Sequence, residues 1–75
     1  MTEIELPSGK KAIVRPGKGR DLIKAQRAAK TPDEIPYALV AELVTIEGKP
    51  VIFEDVLEME IPDVLALMEK VTPGN

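Results

Sequence analysis

The chain has 75 residues, no cysteine, no histidine and a formal charge of −3. A domain of this size buries only about 60% of the surface its unfolded chain exposes, and neither disulfides nor the usual zinc ligands are present to reinforce it. The composition also withholds the commonest general base and the most nucleophilic side chain, which argues against an enzyme.

The aromatic set is Tyr37 and Phe53 alone. A core must then come from Leu, Ile, Val, Met and Ala, which suits packed helices and not a sheet that stacks nucleic-acid bases. Charge is unevenly placed. Residues 1–30 hold eight Lys/Arg against three Asp/Glu, and residues 31–75 hold two against ten. Such an asymmetry can steer a partner or orient self-association, or can be two solvated faces of different sign. The first residues lack the hydrophobic run of a secretory signal, and no apolar stretch approaches the roughly 18–20 residues that span a bilayer. The expected location is the cytoplasm.

Glu3-Ile4-Glu5-Leu6 alternates polar and apolar. Pro7-Ser8-Gly9-Lys10 is a turn, and Lys11 to Arg15 reads as a second strand stopped by Pro16. These predict a β-hairpin over about 3–16, which needs helices beneath it because a lone hairpin is barely stable. Pro16-Gly17-Lys18-Gly19 breaks the chain. A helix over about 20–29 follows, with Leu22, Ala25, Gln26 and Ala29 on one face and Arg20, Lys24 and Arg27 on the other. Thr31-Pro32-Asp33-Glu34 matches a capping box with proline at the first helical position, predicting a helix over 33–46. Pro36 within it either removes a helical hydrogen bond or forces a later start. That helix is apolar nearly all round, so it is central in a core or turned to a partner. Gly48 and Pro50 are read as its end. Two further helices are expected at 53–59, with Glu54 and Asp55 in its first turn, and at 62–71, with Ile61, Val64, Leu65, Met68 and Val71 as its apolar face. Residues 72–75 form a tail. The whole is expected to be one α+β domain: an N-terminal β-hairpin packed on three to four short α-helices.

Motifs that could carry chemistry fail on spacing. Gly17-Lys18-Gly19-Arg20 lacks the four residues between glycines and the Lys-Ser/Thr of a phosphate loop. Glu54, Asp55, Glu58, Glu60 and Asp63 show no alternating calcium-loop pattern. Ser8 sits in a turn with no base nearby in sequence. Arg20, Lys24 and Arg27 could meet nucleic-acid phosphates, but the acidic second half opposes that binding. No catalytic residue, metal ligand or cofactor is expected.

In order, several segments resemble one family: Ile4-Glu5-Leu6-Pro7-Ser8-Gly9-Lys10, then Val14-Arg15, then Gly19-Arg20-Asp21-Leu22 leading to Ala25-Gln26-Arg27. Gly48-Lys49-Pro50-Val51, Glu54-Asp55-Val56-Leu57 and Asp63-Val64-Leu65-Ala66-Leu67-Met68 continue the pattern. Over about residues 3–70 the chain resembles the small tail assembly chaperones of Mu-like and related contractile-tailed phages and prophages. It departs at Ile52, where a hydroxyl residue often caps the short helix, and at Pro36. The resemblance implies a scaffold role without ATP or cofactor: binding the long, helical tape measure protein, in the cytoplasm of the bacterial host, before the tail tube forms around it. The apolar second helix is the expected contact, with a patch of Tyr37, Val40 and Val44, and Leu67 or Val71 from the last helix. Leu39 and Leu43 are expected in the domain's own core. Two other readings are a structural, adaptor or homo-oligomeric phage protein, and a small nucleic-acid-binding regulator using Arg20, Lys24 and Arg27.

Overall fold

The computed structural model describes residues 2–71, so the expected 72–75 tail lies outside the described residues. Strand β1 (Thr2–Glu5) pairs antiparallel with β2 (Lys11–Val14), Glu5 opposite Lys11 and Thr2 opposite Val14. The Pro7-Ser8-Gly9 turn closes them. The Leu6 N–H donates to the Lys10 carbonyl and the Gly9 N–H to the Leu6 carbonyl, both at 2.8 Å. Helix α1 (Gly19–Ala28) follows, then a 3₁₀ turn (Pro32–Glu34) and α2 (Ile35–Leu43). Strands β3 (Val44–Ile46) and β4 (Lys49–Pro50) come next, then α3 (Phe53–Glu58) and α4 (Ile61–Val71). The architecture is α+β, but the hairpin grows into a four-stranded antiparallel sheet, β1-β2-β3-β4.

The second half of that sheet is where the expected 33–46 helix fails at both ends. At its start Pro32 opens only a 3₁₀ turn, with no side-chain cap from Thr31. Glu34 instead accepts the Lys30 N–H at 2.8 Å. The α-helix proper begins at Ile35, which puts Pro36 in the first turn, where its missing N–H costs no helical bond. At its end three β-branched residues, Val44-Thr45-Ile46, leave the helix and pair with β2, Val44 opposite Val14 and Ile46 opposite Ala12. Gly48 is therefore not a helix cap. Glu47 and Gly48 are the two central residues of a hairpin turn, at φ 52° and 79°, the pair of positive values a type I′ turn requires. Glu47 is held there from both sides: its N–H donates to the Lys11 carbonyl at 2.9 Å, and its carboxylate accepts the Lys11 N–H at 2.7 Å. Gly48→Ala is expected to cost about 1 kcal/mol from the left-handed strain alone. That lowers the thermal midpoint by about 4–8 °C for a domain this size, read by circular dichroism on heating.

Helix α2 is the hub. α1 packs on it, and so do α3 and α4. One core joins Leu6, Val14, Val40, Val56, Leu67 and Val71, with Val44, Val51 and Val64 among their buried neighbours. It is built mostly from valine, as the shortage of aromatics requires. Gly17 lets the chain pass close to the end of α2, since a Cβ there would lie 3.0 Å from Leu43 Cδ1.

One partly buried ion pair, with Asp21 inside and Arg15 partly exposed, ties the sheet to two helices. Arg15, just past β2, donates from Nη2 to Asp21 Oδ1 at 2.9 Å and from Nη1 to Asp21 Oδ2 at 3.3 Å. Nη2 also reaches the Glu42 carbonyl at 3.1 Å, in the last turn of α2, where the helix dipole favours a cation. Asp21 in turn accepts the Lys18 N–H at 2.9 Å, which stops the start of α1 from fraying. The Arg15 guanidinium and the Lys18 N–H hold the Asp21 carboxyl at a pKa of about 2, below its ordinary 3.8. Asp55 accepts the Ile52 N–H at 3.3 Å in the same way at the start of α3, so a hydroxyl at position 52 is not required for that helix to begin.

Candidate protein-binding face

Four of the five residues expected to contact a partner are core residues. Val40 and Leu67 have no exposed surface, and Val44 and Val71 are buried in the same cluster. The correction has a simple cause. α2 is enclosed by α1, α3, α4 and the sheet, so an all-round apolar surface is what a central helix needs. An aspartate at Val40 would bury an unpaired charge and report on folding, not on binding. Tyr37 is half-buried and packs at the edge of the core.

The last helix is also turned from its expected orientation. Asp63, Val64, Leu67 and Val71 point inward, while Ile61 and Leu65 are 73% and 56% exposed. Asp63 explains the rotation. Its Oδ1 accepts the Ser8 N–H at 3.1 Å, which draws residue 63 toward the β1–β2 turn. Leu67 lies one turn later on the same side, so that hydrogen bond and the burial of Leu67 demand the same rotation.

What this leaves outside is a patch the sequence reading did not assemble. Leu57 on α3, 47% exposed, joins Ile61, Leu65 and Tyr37 around a concavity of about 130 Å³ floored by Val56 and Val64. Single exposed leucines are ordinary, whereas three large aliphatics grouped at one hollow make a candidate interaction surface. Glu54 and Glu58 on α3 and Glu69 on α4 are exposed as well, and Glu58 lines the neighbouring cleft on the β-turn side. On α4, Ile61, Leu65 and Glu69 follow at i, i+4 and i+8, one stripe. The signal was present in the sequence as two leucines per turn of α4, Leu65 and Leu67, of which one had to face out.

The largest hollow, an open cleft of about 640 Å³, lies between the β1–β2 turn, the β3–β4 hairpin and α3. Its walls carry the charged side chains Lys10, Lys49, Glu58 and Glu60 beside apolar Ile46, Val51 and Met59. Its Asp63 carboxylate is engaged by Ser8. Among the described residues no group of three or more acids, histidines or cysteines is arranged to hold a metal ion.

Arg20, Lys24 and Arg27 are all exposed on α1. The other face differs. Asp21 and Ala25 are the buried pair of α1, whereas Leu22 and Ile23 are 42% and 49% exposed. Ile23 thus sits among the three cations. No described helix is long and apolar enough to cross a membrane. No protein-family model, curated protein or solved structure matches this chain.

Proposed function

We propose that this chain is a non-enzymatic tail assembly chaperone of the Mu-like phage type it resembles, acting in the cytoplasm of the bacterial host. Its client is the tape measure protein. The observation that carries the reading is the exposed group Leu57, Ile61 and Leu65 beside Tyr37, set around a hollow on the α3–α4 surface. A long helical client exposes apolar stripes until the tube encloses it. A shallow apolar hollow with a half-buried tyrosine at its edge suits one such stripe laid along it, the helix-in-groove mode of recognition. The chaperone works by burial alone: it removes apolar area from water at roughly 25 cal/mol per Å² and releases the client when a better-matched surface, the tube, competes.

The test is co-expression with the tape measure protein, scored by client solubility and co-purification. Leu65→Asp places a charge where the side chain is already more than half exposed, so folding is expected to stay within about 0.5 kcal/mol of wild type. Client binding is expected to weaken by about thirtyfold, the effect of losing one central apolar anchor of about 2 kcal/mol. A folded Leu65→Asp protein that retains wild-type client capture would remove this face from the mechanism.

A further inference from the structure

Among the described residues, the six large exposed hydrophobic side chains fall into two groups of opposite charge. Leu22 and Ile23 lie on α1, among Arg20, Lys24 and Arg27. Ile52, Leu57, Ile61 and Leu65 lie in the segment that carries Glu54, Glu58 and Glu69. The single acid of α1 does not dilute its charge, because Asp21 is buried and paired with Arg15. That is the one ion pair among the described residues. Lys24 also acts on Asp21 through space, and Arg20, Lys24 and Arg27 keep their side chains exposed on α1. α1 and the α3–α4 pair each pack on α2, and Leu22 shares a hollow with Lys70 and Val71 at the end of α4.

We propose that copies of this chain associate head to tail, the basic face of α1 in one copy docking on the acidic, apolar face of α3 and α4 in the next. Ile23 and Leu22 supply the apolar ridge, and Leu57, Ile61 and Leu65 supply the hollow. Arg20, Lys24 and Arg27 meet the exposed acids Glu54, Glu58 and Glu69 of the same two helices. Both halves of the match, apolar area and charge, come from the same chain, which is why a second copy is the occupant. The contact joins two different surfaces, so each added copy presents a new docking face, and assembly is open unless its rotation closes a ring. Charge complementarity of this kind sets orientation and encounter rate, with the apolar contact supplying affinity. The inference reaches beyond client binding. It shares the α3–α4 face with that reading, while α1 has no part in client capture.

Sedimentation velocity over a range of protein concentration tests it, at about 0.02 M and about 0.5 M salt, where the Debye length falls from about 20 Å to about 4 Å. Wild type is expected to grow past dimer with concentration at low salt and to shrink toward monomer at high salt. Arg20→Glu with Lys24→Glu and Arg27→Glu should weaken association more than about tenfold, and so should Glu54→Lys with Glu58→Lys and Glu69→Lys. Mixing the two variants should restore assembly, because each swapped face then meets an opposite one. Lys24→Glu and Glu58→Lys alone, gentler on folding, should show the same pattern more weakly. A wild type that stays monomeric at low salt overturns the proposal. So does a closed dimer that neither swap changes, or a mixture of folded variants that stays monomeric. Client capture separates the two readings: the α1 variant keeps the α3–α4 face and should still bind client. Monomeric wild type that captures client counts against self-association alone, and self-associating protein that captures none counts against the chaperone reading alone.

Discussion

Leu67→Ala is expected to destabilise the domain by about 3 kcal/mol, while Leu65→Ala, two residues earlier on the same helix, changes stability by less than about 0.5 kcal/mol. Leu67 has no exposed surface and Leu65 is 56% exposed. Truncating a fully buried leucine loses its transfer free energy and leaves a cavity that neighbours fill only in part. The neighbours here are mainly valines, whose branched side chains hold few alternative rotamers, so collapse into the space is limited. A 75-residue domain has a total stability of roughly 4–11 kcal/mol, so the Leu67 variant loses a large share of it. Its thermal midpoint should fall by about 12–24 °C. Urea denaturation of both variants checks the prediction. Equal losses at 65 and 67 would mean that α4 is rotated toward the face its sequence pattern suggests.

That pattern shows how far the sequence could be read. The α+β class, the β1–β2 hairpin and the four main helices follow from turn residues and periodicity that act locally. Pro7-Ser8-Gly9 and Pro16-Gly17 punctuate the chain, and Pro62 opens the last helix, whatever the rest of the chain does. The errors fall where a distant residue decides. Val44-Thr45-Ile46 continues an apolar helical stripe as well as it begins a strand. Pairing with β2 resolves it, and Ala12 and Val14 are some thirty residues away. The local hint was the β-branched triplet followed by Glu-Gly, a hairpin turn's composition. The rotation of α4 depends on Asp63 meeting a backbone N–H at Ser8, which no helical periodicity contains. Asp21 was not legible as a paired acid: Lys18 and Arg20 are nearer in sequence than Arg15, which the fold brings to it across the Pro16–Gly19 break. The candidate face suffered most, because it was sought on the most apolar helix. In a chain this small the most apolar helix is consumed as core, and the surface that remains for a partner is made by the residues left over on α3 and α4.

The Arg15–Asp21 pair is expected to dominate the acid side of the stability curve. Asp21 has a folded pKa of about 2 against an ordinary 3.8. A depressed carboxyl pKa means that the folded state binds fewer protons than the unfolded chain over that interval. Its stabilisation is complete above about pH 4 and is lost as pH falls through about 2. Asp21→Asn should therefore be less stable than wild type at pH 7 by a gap that stays constant down to about pH 4, narrows below it, and closes near pH 2. The leading cause of the shift is the hydrogen bond from Arg15 and the next is the Lys18 N–H. Arg15→Met removes the first and leaves the second. It should then reduce the acid-side slope while keeping part of it, whereas Asp21→Asn removes the contribution of this site altogether. Urea titrations at half-unit steps of about pH 2–7 measure all three proteins. A wild-type minus Asp21→Asn gap that persists unchanged at pH 2 would show that Asp21 acts by shape and not by charge. The pair is also what makes α1 a purely cationic surface, since the one acid of that helix is turned inward to Arg15. Asp21→Asn would put a carboxamide at the start of α1 and leave Arg15, which also reaches the Glu42 carbonyl at the end of α2, without its carboxylate. Stability at low pH and the charge pattern on α1 thus share one cause.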